Sequence, residues 1–260
     1  MILDLTAPKS WKELSEKQLI YISWLMTNRQ LSPAELQTYA FVRLTGIRIR
    51  HRHSGYWLCE YKKRVFTLSP EQILSFSRQF AWITSGIGEI TPLAKLKGFP
   101  HVDARLQNTP FKQYLACENN YQAYIHTKNI VYLQRLAACL YDVDGLEFSD
   151  RRAVENAEKF SKVPFHIVHT VFLWYYGLKS IFQQHFPYFF QKVETILEEE
   201  QPQAPNMREQ IDNMIRTLTG GDITKTGAIV ETDTWTALSE LNAKAREYKE
   251  LETRMNKYKK

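Results

Sequence analysis

Cysteine is scarce in this 260-residue chain. There are three, Cys59, Cys117 and Cys139. An odd and widely spaced set does not make a disulfide framework, and the absence of C-x-x-C removes the usual zinc-knuckle spacing. Glycine and proline number only 10 each, too few for a chain built of many tight β-turns. No stretch reaches eighteen uninterrupted apolar residues. The most apolar one, Val163–Leu178, is broken by His166 and His169 and fits a buried helix better than a membrane span. The N-terminus lacks the basic-then-apolar layout of a secretory leader, so the expected compartment is the cytoplasm. Motifs that name a reaction, such as H-E-x-x-H, are missing too.

Aromatic residues, by contrast, are plentiful at 13%, and hydrophobic residues make up 44%, so the chain can bury a substantial core. Hydrophobic residues recur mostly at helical spacing. The expected fold is mainly α with a small β part: a helical body over 1–200 with an antiparallel β-meander inserted near 47–68, and a C-terminal helical hairpin. Three helix starts carry a mechanism. Ser15 with Gln18, Ser32 with Glu35 and Ser69 with Gln72 can each form a capping box, the last two with Pro at the first helical position. Gly46 is placed to end the second helix, after which the period changes from 3.6 to 2. Strands are expected around Ile47–Arg50, Tyr56–Tyr61 and Val65–Leu68, with turns at Ser54-Gly55 and Lys62-Lys63.

Further on, 86–110 reads as irregular. Helices are expected from Pro110, over about Asn129–Tyr141, over Ser149–Ser161, from Pro164 through Leu178, and over roughly Phe189–Glu199. The run Gln201–Asn206 holds two prolines and reads as a linker to a helical appendage over 207–260. In that appendage Met207, Ile211, Met214, Ile215 and Leu218 form one stripe, and Gly220 or Gly221 stops the helix. Trp235, Leu238 and Leu241 mark a second stripe on a long charged helix.

The net charge of +6 is concentrated. Arg43, Arg48, Arg50, Arg52, Lys62, Lys63 and Arg64 face Glu60 alone within the meander region, an excess equal to that of the whole chain. With Trp57 among them, Arg48, Arg50, Arg52, Lys62, Lys63 and Arg64 form a candidate surface on one face of the sheet for nucleic acid or an acidic protein. The alternative is that the cations are simply solvated.

Other constellations are weighed against plain packing. His166 and His169 share a helix face but lack a third metal ligand in sequence, so packing is the preferred reading. Cys117 has His126 too far along its own helix to act as a base. Gly220-Gly221 lacks the spacing of a phosphate loop. No catalytic residue, cofactor, metal or small-molecule substrate is expected.

Two stretches, Met214–Lys225 with Asp233–Arg246, and Phe111–Tyr124, are similar to parts of uncharacterised proteins from phages and integrated elements. Such proteins are of the tail-assembly and virion-component type. The resemblance implies a phage structural protein or a second copy as partner and a virion-associated location, and it brings no catalytic residues. The expected function is therefore non-enzymatic assembly: binding a protein partner through Met207, Ile211, Met214, Ile215, Leu218, Trp235, Leu238 and Leu241. Nucleic-acid binding by the meander is the alternative.

Overall fold

The computed structural model describes residues 5–28, 30–53, 55–143, 145–190 and 207–258. In chain order its elements are α1 (Glu16–Asn28), α2 (Pro33–Thr45), β1 (Arg48–Arg52), β2 (Trp57–Tyr61), β3 (Arg64–Leu68) and α3 (Pro70–Ser77). A short hairpin, β4 (Lys95–Leu96) and β5 (Phe99–Pro100), precedes α4 (Phe111–Thr127), α5 (Ile130–Leu140) and α6 (Asp150–Ala157). Then come α7 (Phe165–His185), α8 (Met207–Thr219), α9 (Thr226–Glu231) and α10 (Thr234–Tyr258). The fold is mainly α with a small antiparallel sheet, as the periodicities predict. Among the described residues, no helix is long and apolar enough to cross a membrane.

Capping chemistry sets the helix starts. Ser32 accepts the Glu35 amide, while the Glu35 carboxylate accepts from the Ser32 amide at 2.9 Å. Ser69 and Gln72 repeat the arrangement on α3. At α1 the Gln18 side chain accepts from the Ser15 amide at 2.9 Å. Each device satisfies amides that a helix start leaves without partners, worth about 1 kcal/mol.

The chain divides into two compact units. The first comprises residues 1–93 and 164–177. Its core gathers Leu19, Ile22 and Leu25 from α1, Phe41 and Leu44 from α2, and Val168, Val171 and Trp174 from α7. Gly177 lets α7 approach the chain closely: a Cβ there would stand 2.2 Å from the Gly88 carbonyl oxygen. The three strands run in sequence order, with β2 central. At the β2–β3 turn Lys62 and Lys63 both adopt positive φ, 46° and 65°, the signature of a primed hairpin turn that glycine or asparagine fills at lower cost.

The second unit comprises 94–163 and 178–260. Its core is built on α4 and α5, through Phe111, Tyr114, Tyr121, Leu133, Leu136 and Leu140, joined by Phe182 and Phe186 from the end of α7. Residues 207–258 belong to this unit, where the sequence reading set them apart as an appendage. Hydrogen bonds at the start of α4 help to tie them in. The Phe111 amide donates to the Thr232 carbonyl at 2.8 Å, and the Thr234 amide and hydroxyl both donate to the Thr109 carbonyl. A part-buried ion pair, Lys179 with Glu118, is held further by the Gln122 side-chain amide, which donates to Glu118.

Several boundaries differ from expectation. α7 runs on to His185, because Ile181 and Phe182 continue its buried face. The 86–110 segment contains the β4–β5 hairpin, turned by Lys97 and Gly98 at positive φ. Phe189 and Phe190 lie in a turn, while the rest of the expected 189–199 helix and the expected 201–206 linker lie outside the described residues.

Candidate functional site

The most distinctive surface of the first unit begins at Gly46. This residue ends α2 in the left-handed conformation, φ 76° and ψ 12°, which reverses the chain so that β1 departs beside the helix it follows. Between them lies a groove of about 720 Å³. Tyr39, Val42 and Arg43 of α2, Arg48 and Arg52 of β1, Trp57 of β2 and Tyr21 of α1 contribute to its lining.

Its chemistry is cationic and aromatic together. The Arg52 guanidinium lies 4.4 Å from the centroid of Trp57, and that of Arg43 lies 5.4 Å from the centroid of Tyr21. Such stacking holds a flexible side chain in place without neutralising it. Among the described residues, no carboxylate pairs with Arg43, Arg48 or Arg52. Glu35 also lines the groove, but its carboxylate is occupied by Ser32, whose hydrogen bonds hold its pKa below the usual value.

The pleat and a bulge divide the basic residues that sequence reasoning grouped on one face. Arg52 is paired across the ladder with Trp57, so the two project to the same side, as do Cys59 and Phe66. The register slips between Ile49 and His51, leaving Arg50 in a bulge, and Arg50 forms an ion pair with Glu60. One of the expected contact cations is thus paired with a carboxylate of the neighbouring strand. Lys62 and Lys63 occupy the hairpin tip, with Lys62 over the Tyr61 ring at 5.0 Å, and Arg64 pairs across from Tyr61. Arg48, opposite Glu60, is at the same end of the sheet as that tip and projects to the other face of the ladder from Arg52 and Trp57, while still contributing to the lining of the groove. The expectation of a single cationic face therefore becomes a groove with Arg43 and Arg52 stacked on its aromatic rings, Arg48 between groove and tip, and the basic tip itself. Sequence reasoning missed Tyr21, Tyr39 and the role of Arg43, because these come from helices and only the turn at Gly46 brings them beside the strands.

The two C-terminal stripes differ in how far their own unit covers them. Leu238 and Leu241 are buried in the second unit. Trp235 packs edge-on against Phe182 and Phe186, with ring centroids 5.8 and 5.3 Å away, and donates to the Arg105 carbonyl at 2.7 Å. Met207, Ile211, Met214, Ile215 and Leu218 are half-buried. Ile211 and Ile215 line a cavity with Leu115 and Val154, and Met214 borders a groove with Leu241 and Tyr248. Leu238 and Leu241 are thus covered by their own unit, while the five α8 residues keep part of their surface along these two openings. The exposed apolar residues of α10 lie beyond them: Tyr248, Leu251 and Met255.

The remaining polar candidates serve packing and turns. Ser23 donates to the His166 carbonyl at 2.6 Å, so its oxygen is left to accept from His169 Nδ1 at 2.9 Å. Burial lowers the His169 pKa to about 4. Phe165 and Phe172 flank its ring. Among the described residues, no three His, Cys, Asp or Glu side chains gather as a metal would require. Cys117 and Cys139 are buried, and burial pushes the Cys117 thiol well above its usual pKa, away from the thiolate a nucleophile needs. Gly220 and Gly221 both take positive φ, and the Gly221 amide closes α8 on the Arg216 carbonyl.

Comparison of the chain with protein-family models, with curated proteins and with solved structures finds no match.

Proposed function

We propose that the first unit binds single-stranded nucleic acid, without catalysis, in the groove between α2 and β1. The observation that carries this reading is the set Arg43, Arg48 and Arg52, unpaired by carboxylates and interleaved with Tyr21, Tyr39 and Trp57. Phosphates would take the guanidinium groups, and unpaired bases would stack against the aromatic faces or the guanidinium planes. A duplex keeps its bases inside and would use only the charges, so the aromatic lining favours a single strand. The tip cations Lys62, Lys63 and Arg64 would extend the attraction beyond the groove.

Fluorescence anisotropy with a labelled oligothymidine at low salt tests it. The triple variant Arg43→Gln, Arg48→Gln, Arg52→Gln should lose at least roughly ten-fold in affinity, since each phosphate contact contributes to counterion release. Lys62→Gln with Lys63→Gln should cost less. Undiminished binding by the triple variant would remove the groove from the account.

A second reading is protein-partner binding of the phage-assembly type. The exposed side chains of Tyr248, Leu251 and Met255 on α10 favour it. Truncation after Arg246 should abolish co-purification of the partner, and tail or capsid genes beside this one would support the setting that the resemblance implies.

A further inference from the structure

The end of α10 carries the geometry of a pairing seam. α10 spans 25 residues, about 37 Å at helical rise. Its first half is fixed in the second unit by Thr234, Leu238 and Leu241, all buried. From Arg246 to Asn256 every residue is exposed. Within that stretch Tyr248, Leu251 and Met255 are 72%, 56% and 62% exposed, among the most exposed large apolar side chains of the chain. Their spacing of three and then four residues is the a–d–a spacing of a heptad, which places them on one side of the helix.

We infer that this seam pairs with the same seam of a second copy of the chain, the two helices running antiparallel. The inference deepens the second reading above, which rests on the same stripe, by naming the partner. Charge decides both partner and direction. Glu247 and Arg254 each precede an a position, and Glu252 follows the d position, so all three flank the seam. None of the three is ion-paired among the described residues, whereas Arg246 and Glu250 pair with each other. In a parallel pair, Glu247 would face Glu252 of the other copy on both sides, two like-charge contacts. In an antiparallel pair with Tyr248 opposite Leu251, Glu247 faces Arg254 of the other copy, twice by symmetry. A two-fold antiparallel pair in this register packs Tyr248 and Leu251 of one copy against Leu251 and Tyr248 of the other, brings each Met255 over the stem of Lys244, and matches four of the six flanking charges, leaving the two Glu252 carboxylates in solvent.

The test is sedimentation velocity of the full chain across the micromolar range. The wild type sediments as a dimer at the upper end, and Leu251→Glu sediments as a monomer with unchanged melting temperature. Glu247→Arg alone and Arg254→Glu alone are each monomeric, because each brings like charges together. Mixing the two variants restores the dimer, since the first then presents two arginines to the two glutamates of the second. A wild type that stays monomeric overturns the inference, and so does a Glu247→Arg variant that dimerises more tightly, which is the signature of parallel pairing. Capture of a different protein by a monomeric wild type, lost on truncation after Arg246, would overturn self-pairing while keeping the stripe as a contact surface.

Discussion

Replacing His169 by asparagine should flatten part of the pH dependence of stability in the first unit. In the folded chain His169 Nδ1 donates to Ser23, and burial lowers its pKa from an ordinary 6.5 to about 4. Between these values the unfolded chain holds a proton at this ring and the folded chain does not. Stability is therefore fully present above pH 6.5 and is lost as pH falls toward 4. Linkage puts the loss between about pH 7 and about pH 5 at about 2 kcal/mol at most, because partial exposure of the ring trims it. For a chain of this size that corresponds to a fall of about 4–8 °C in melting temperature. Asparagine keeps an N–H donor for Ser23 but does not titrate. Tryptophan-fluorescence melts at the two pH values should show the smaller fall in the variant. Equal falls in wild type and variant would refute the assignment of this acid sensitivity to His169.

Two further substitutions test the packing. Gly177→Ala forces a Cβ against the Gly88 carbonyl oxygen at 2.2 Å, where backbone must move. A loss of about 1–3 kcal/mol in chemical denaturation is expected, and an unchanged midpoint would deny the close approach. Lys179→Met removes a cation from the Glu118 carboxylate and should cost about 1–3 kcal/mol. Adding Glu118→Gln should recover much of that loss, and a double variant no better than the single would show that the cost does not come from the carboxylate.

Much of the secondary structure was legible because it is fixed by local chemistry. Ser32 with Glu35 and Ser69 with Gln72 announce helix starts through atoms a few residues apart, and Gly46 announces the end of α2 through its backbone freedom. The change of period at residue 47 revealed the meander. The site was less legible because it depends on long-range placement. Whether Arg50 points into the groove or toward Glu60 turns on a one-residue bulge, which alternation of residue type does not encode. Tyr21 and Trp57 belong to different elements and become neighbours of one groove only through packing. The C-terminal stripe was legible as a stripe, but periodicity is the same whether Leu238 and Leu241 are covered by their own chain or by another protein. Here their own unit covers them.

The central claim is that the groove beside Gly46 holds a phosphate chain through Arg43, Arg48 and Arg52. Titrating a labelled oligothymidine against the protein over a series of salt concentrations tests it most directly. Three neutralised phosphates on a single strand predict a log–log slope of about −2, a loss of roughly twenty-fold between about 50 and about 200 mM salt. The triple glutamine variant should flatten that slope. Absence of binding at the lowest salt, or binding with a slope near zero, would contradict the account.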